Sequence, residues 1–107
     1  MELMEATMSK HQEQFLVPMP PSTVMLACRE AVTTFGWRVM EQGETRLVCK
    51  EVGPLYSLYP AQIELLCSTH PQGTQVLLNG SRFGFVSQSR SMRGEVRTLR
   101  NHIEVAL

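Results

Sequence analysis

The C-terminal segment, residues 90–107, carries the strongest pattern in this chain. Its apolar residues recur at steps of four, three, four and four, which is the spacing of one face of an α-helix: Met92, Val96, Leu99, Ile103 and Leu107. A helix with a single apolar face must bury that face against another layer. The segment therefore predicts a helix that packs onto the rest of the domain.

A second helix is predicted from Pro21 to Phe35. Proline suits the first turn of a helix, because the N–H that it lacks has no helical partner there. Gly36 follows Phe35 directly and can adopt the left-handed conformation that ends many helices. Both ends of this helix are therefore indicated by the sequence.

Outside the two helices, apolar and polar residues alternate, which is typical of β-strands. Strands are predicted over residues 12–17, 37–42, 46–52, 62–68 and 74–79, the last continuing toward 83. The turn at residues 42–44 predicts a hairpin. On its second strand, Leu47, Cys49 and Glu51 are predicted to share one side.

Two glycines and the N-terminus carry further predictions. Gly80 interrupts the last strand and predicts a bulge or bend. Gly94 lies inside the C-terminal helix, where it predicts a close approach to the sheet over Trp37. Residues 1–11 are predicted to be a flexible tail, and residues 12–107 a single α+β domain.

The order β-α-β-β-β-β-α predicts an α+β fold, an antiparallel sheet of about five strands with two helices on one face. This order resembles the helix-grip, or TATA-binding-protein-like, fold over residues 12–107, without a motif match. Known members include transcription factors, lipid-binding proteins and outer-membrane assembly lipoproteins, so the resemblance does not imply one activity. The DNA-binding members resemble two such units in tandem, whereas this chain has one.

Composition narrows the class of protein further. The formal net charge is zero, so no long-range field draws the chain to nucleic acid or anionic lipid. Cys28, Cys49 and Cys67 are far apart and are predicted to be buried, reduced thiols. No signal peptide is visible, and the longest apolar run, Val24–Cys28, is far shorter than the roughly 20 residues of a membrane span. A cytoplasmic protein is expected.

Residue sets that support catalysis or metal binding are not evident. The sequence has no aspartate, which removes aspartate-based calcium loops and Asp-containing catalytic triads. The three histidines show no metal-binding spacing, so no metal and no cofactor are predicted. Cys67 and His70 are close in sequence, but an inward cysteine and a turn histidine do not make a nucleophile and its base. We expect no enzyme activity.

The segment 53–60 is unusually apolar for a loop and forms the first candidate contact site. The candidate ligand or partner contacts are Leu55, Tyr56, Leu58, Tyr59, Phe83 and Phe85. Tyrosine combines apolar area with a polar tip, as partner-binding surfaces favour. The loop either covers the core as a lid or forms an exposed interface, and both interpretations stay open.

The C-terminal arginines form the second candidate site, for anions. They are Arg82, Arg90, Arg93, Arg97 and Arg100, and the last four lie in one stripe along the predicted helix. Guanidinium groups pair with phosphates, so the stripe could contact nucleic acid. The alternative is a solvated helix face, or one paired with glutamates of the same chain.

Three functional hypotheses follow. The first is a non-catalytic binding or interaction protein that self-associates, or binds a protein partner, through the aromatic loop. The second is a carrier of a small apolar ligand in a cavity between helix and sheet. The third is nucleic-acid binding through the arginine stripe.

Overall fold

The computed structural model describes residues 6–52, 60–85 and 92–107. The elements follow the predicted order: β1 (Ala6–Val17), α1 (Pro21–Phe35), β2 (Arg38–Gln42), β3 (Arg46–Lys50), β4 (Gln62–His70), β5 (Gly73–Phe85) and α2 (Met92–Ala106). The strands form one antiparallel sheet in the order β1-β5-β4-β3-β2. This architecture confirms the predicted α+β class.

The local signals for α1 and for the β2–β3 hairpin are confirmed. Gly36 ends α1 with a φ of 85°, and its N–H donates to the carbonyls of Val32 and Thr33. In the hairpin, the N–H of Gly43 donates to the carbonyl of Arg46 at 2.8 Å. The glycines at the end of α1 and in the hairpin turn therefore adopt the conformations that the sequence predicts.

The first strand is longer than the sequence predicted. β1 begins at Ala6, which pairs with Phe85, and His11 pairs with Gly80. Residues 6–11 therefore belong to the sheet and not to a flexible tail. The alternation that identified residues 12–17 is too weak in the preceding residues to reveal strand pairing, which depends on the partner strand β5.

Both helices pack against the same face of the sheet, which we call the inner face. Alternate residues of the strands point to it, and the opposite face is called the outer face. The core side chains come from every element except β2: Val17, Val24, Met25, Cys28, Ala31, Val32, Leu47, Cys49, Ala61, Ile63, Leu65, Cys67, Val76, Leu78, Met92, Val96, Leu99 and Ile103. The α2 stripe is buried as predicted, except that Leu107 follows the helix and is exposed.

The roles predicted for the two glycines are corrected by the structure. The register of β5 runs through Gly80 without a bulge, and the irregularity in the sheet lies instead between Val39 and Glu41. A Cβ on Gly80 would lie 2.6 Å from Val96 Cγ2 and 2.7 Å from Met92 Cε. Gly80 therefore allows α2 to approach the sheet closely.

Gly94, for which that close approach was predicted, is exposed and has open space around it. A Cβ there would meet nothing within 4 Å. The prediction of contact over Trp37 is therefore wrong. Trp37 packs instead against Phe35, with ring centroids 4.9 Å apart.

Candidate functional site

Across β3, β4 and β5, the inner face of the sheet changes from apolar to charged between two neighbouring rows of residues. Cys49, Ile63 and Gly80 lie side by side on β3, β4 and β5 and form an apolar row. The next row on this face is two residues farther along each strand and consists of Glu51, Ala61 and Arg82. The N–H of Glu51 donates to the carbonyl of Ala61 at 2.9 Å, so the β3–β4 ladder continues into this second row.

Arg82 and Glu51 form an ion pair across this second row. Arg82 Nη2 lies 2.8 Å from Glu51 Oε2, and the two side chains are only 14% and 17% exposed. Ala61, which lies between them, is fully buried. Because its side chain is a single methyl group, the longer side chains from the flanking strands can meet over it.

Arg82 also has a donor that is not used. Its Nε is buried and has no hydrogen-bond acceptor in the part of the chain that the structure describes. A buried donor without an acceptor costs about 1–3 kcal/mol, or more for a charged group, because it loses its hydration. Such an atom at the end of an apolar face is the feature that distinguishes this site chemically.

The adjacent row is closed by α2. The side chains of Met92 and Val96 lie against Gly80, so no atoms larger than hydrogen fit between this glycine and the helix. Met92 is the first residue of α2 and is 2% exposed. A ligand on the inner face would therefore have to displace these side chains or lie beyond Gly80, on the Glu51–Arg82 side.

A second charged cluster joins α2 to β1. Glu13 is 15% exposed and accepts from His11 at 2.8 Å and from Arg100 at 3.2 Å, with Arg97 3.7 Å away. Burial raises the pKa of Glu13, but the hydrogen bonds from His11 and Arg100 and the charge of Arg97 bring the pKa below its ordinary value. Glu13 is therefore a structural anion that holds the helix on the sheet.

These contacts separate the predicted arginine stripe into different environments. Arg100 also donates to Glu104 at 3.1 Å and lies over the ring of Phe15, 4.7 Å from its centroid. Arg93 is exposed on α2, whereas Arg82 lies on the sheet and Arg90 is outside the described residues. Arg97 and Arg100 thus lie beside carboxylates of the same chain.

The predicted aromatic contact site falls largely outside the described residues. This applies to Leu55, Tyr56, Leu58 and Tyr59. The backbones of Phe83 and Phe85 belong to β5, where they pair with Met8 and Ala6 of β1. Whether the loop is a lid or an interface thus stays a prediction.

The three cysteines are buried and reduced, as predicted. The contact with Cys67 and burial raise the pKa of the Cys28 thiol, and burial raises the pKa of Cys49 to about 12. His70 lies in the β4–β5 turn, where its Nδ1 accepts from the N–H of Gln72 at 3.1 Å. Cys67 and His70 are therefore not arranged as a nucleophile and base.

The outer face carries a polar groove of about 490 Å³, lined by amide side chains that include Gln12, Gln62 and Asn79. Glu64 at its margin accepts from Arg46 Nε at 2.6 Å and from Asn79 at 3.2 Å. The hydrogen bonds from Arg46 and Asn79 hold the pKa of Glu64 below its ordinary value. These polar groups satisfy one another in a solvated setting.

Residues 6–52, 60–85 and 92–107 contain no cluster of three or more histidine, cysteine or acidic side chains that could hold a metal ion. No helix among these residues is long and apolar enough to cross a membrane.

The sequence indicates part of the Glu51–Arg82 site but not that the two residues form a pair. Alternation correctly placed Glu51 on the same side as Cys49, and Arg82 was named as an anion contact. A charged residue on the inner side of two different strands is the signal that could have linked them. The role of Ala61 had no signal, because a small apolar residue is common in any strand.

No protein-family model matches this chain, and no curated protein matches it either. Solved structures do match. An uncharacterised protein from Rhizobium leguminosarum is 7% identical, with a TM-score of 0.68 over 95% of both chains. The Mll3558 protein from Rhizobium loti is 13% identical, with a TM-score of 0.66 over 96% of this chain and 99% of that one.

A two-domain structure is also similar. The di-domain ARO/CYC protein BexL from the BE-7585A biosynthetic pathway is 11% identical, with a TM-score of 0.58. The match covers 92% of this chain and 48% of BexL. At these identities the likenesses show the fold alone, and they support a helix-grip fold.

Proposed function

We propose that the protein binds a small, mainly apolar molecule between α2 and the inner face of the sheet, at the Glu51–Arg82 end, without catalysing a reaction on it. One observation carries the proposal: the apolar part of the inner face on β3, β4 and β5 ends in a buried ion pair with an unused donor. Ligand sites are typically apolar surfaces with a few polar groups that fix the orientation of the ligand.

The packing of α2 supports this location. Because α2 lies directly on Gly80, a ligand under the middle of the helix would have to displace Met92 and Val96. A ligand beyond Gly80 would leave that packing in place, but the atoms that cover Ala61 and Nε of Arg82 would have to move to admit it. The proposal therefore places the ligand at one end of α2.

The non-catalytic part of the proposal is supported by the chemistry of the described side chains. The thiols of Cys28 and Cys49 have raised pKa values and are buried, which suppresses the thiolate form that acts as a nucleophile. The hydrogen bond from Cys28 lowers the pKa of the Cys67 thiol, but Cys67 is only 4% exposed, so a substrate does not reach it. Although BexL is named as an ARO/CYC protein, a shared fold does not transfer an activity to this chain.

The test is titration of the isotopically labelled protein with diphenylmethane, an apolar probe of two aromatic rings, followed by two-dimensional NMR. Backbone amide shifts are expected for Ala61, Arg82 and Met92 on the inner face. Gln14 and Gln75, which hydrogen-bond to each other on the outer face, serve as the internal control. Shifts confined to the outer face, or no saturable shifts, would contradict the proposal.

We also propose self-association as a second function, which one observation favours. β1 is an edge strand of 12 residues, and its outward backbone edge has no partner strand among the described residues. Long open edges readily pair with another chain. Light scattering across a concentration series tests this proposal, and a monomer at every concentration would exclude it. The variants Tyr56→Ala and Tyr59→Ala test whether the loop contributes to the association.

A further inference from the structure

We infer that the ligand presents an uncharged oxygen acceptor, such as a ketone carbonyl, to Nε of Arg82. This inference rests on the proposed function, because it assumes a ligand at the Glu51–Arg82 end of the inner face. It adds the chemical class of the ligand, a mainly apolar molecule with a carbonyl group.

The hydrogen bonds of Arg82 indicate an acceptor. Arginine has five N–H donors and no acceptor, so only an acceptor atom can satisfy Nε. Nη2 already donates to Glu51, whereas Nε has no acceptor among the described residues and is shielded from water. An oxygen on a ligand would supply the missing hydrogen bond.

The charge balance indicates that this oxygen is neutral. Arg82 and Glu51 together carry no net charge, and both side chains are largely buried. A ligand carboxylate at Nε would add an uncompensated negative charge beside Glu51, which is costly away from water. A carbonyl oxygen accepts the same hydrogen bond without that cost.

Arg46 on the outer face shows that the unused donor is not a general property of strand arginines in this protein. Nε of Arg46 donates to Glu64 at 2.6 Å, and its Nη1 donates to Glu41. Its side chain is 46% exposed, so water can reach the other donors. Arg46 is therefore a matched control for Arg82.

The experiment compares benzophenone with diphenylmethane, which differ at the central carbon by a carbonyl in place of a methylene. We expect the wild-type protein to bind benzophenone about tenfold more tightly, the size expected for one hydrogen bond from a charged donor. The Nε–H resonance of Arg82 should move further downfield with benzophenone, which accepts a hydrogen bond, than with diphenylmethane, which shifts it only by ring currents.

Two variants assign the preference to Arg82. Arg82→Met should bind both probes equally, whereas Arg46→Met should retain the tenfold preference. Should Arg82→Met fail to fold by circular dichroism, the Nε–H resonance of the wild-type protein decides the assignment. A downfield shift that is larger with benzophenone than with diphenylmethane supports the inference, and equal shifts overturn it.

Glu51→Gln tests the argument from charge. Removing the negative charge should improve the binding of diphenylacetate, the carboxylate probe, about tenfold relative to benzophenone. An unchanged ratio would overturn the neutral-acceptor inference. Equal binding of benzophenone and diphenylmethane by the wild-type protein would overturn the inference but leave the proposed function standing, whereas no binding of either would overturn both.

Discussion

The two faces of the sheet each hold an arginine–glutamate pair, and the pairs behave differently. On the outer face, Arg46 contacts Glu64 and Glu41 with nearly half of its side chain in water. On the inner face, Arg82 contacts Glu51 with both side chains more than four-fifths buried. The same pair of residue types thus lies once on the solvated surface and once at the edge of the core.

The comparison shows that the burial of an arginine–glutamate pair, and not the pairing itself, decides how strongly each charge depends on its partner. The hydrogen bond to Glu64, together with the carboxylate charges, raises the pKa of Arg46, but nearly half of this side chain is in water, so the pair contributes little to stability. In the inner pair each charge depends on the other, because water cannot replace a missing partner. A ligand that reaches the inner pair would therefore meet a donor whose strength water does not reduce.

The largest expected effect comes from breaking the inner pair. Arg82→Gln leaves Glu51 without its cation in a largely buried position, and we expect the free energy of unfolding to fall by about 3 kcal/mol. Arg46→Gln should have a much smaller effect, because water solvates Glu64 and Glu41. Urea unfolding at neutral pH measures both changes, and equal losses would show that the two faces do not differ in this way.

A smaller effect is expected where α2 meets the inner face. Gly80→Ala places a methyl group 2.6 Å from Val96 Cγ2, so the helix must shift and the free energy of unfolding should fall by about 2 kcal/mol. Gly94→Ala is the matched control and should stabilise the protein by up to about 1 kcal/mol, since its Cβ meets no atoms. Thermal unfolding gives both signs, and stabilisation by Gly80→Ala would refute the close approach.

The smallest effect concerns pH. The folded-state pKa of Glu13 lies below the ordinary value of 4.5, so its stabilising contribution is complete above that value and is lost as the pH falls through the lower, folded-state pKa. Glu13→Gln should lose about 1 kcal/mol at pH 7 and show a flatter decline in stability below pH 4.5.

Glu64 provides the outer-face counterpart of Glu13. Its pKa is also lowered, but its partner Arg46 is half exposed, so salt screens this pair more strongly. Urea unfolding between pH 3 and pH 7, in low salt and in molar salt, compares Glu13→Gln with Glu64→Gln. A Glu13 effect that disappears in molar salt as completely as the Glu64 effect would contradict the distinction between the faces.

Much of the fold was predictable, because most elements carry a sequence signal within a few residues. The α2 stripe, the Gly36 stop and the alternation along β4 all report local geometry, and the structure confirms them. Residues 6–11 and Gly80 were misjudged because their conformation depends on β5 and α2, which are distant in sequence. The candidate site was only half predictable for the same reason.

The sequence by itself determined which side chains share one face of a helix or strand, because that depends only on the period of the element. The sequence pattern alone predicted that Glu51 and Cys49 share one side of a strand and that the three cysteines are buried. Only the tertiary structure decided that Glu51 meets Arg82 over Ala61, and that Glu13 receives Arg100 from α2. Such partners are set by strand order, register and the seating of a helix, and no local pattern encodes these long-range choices.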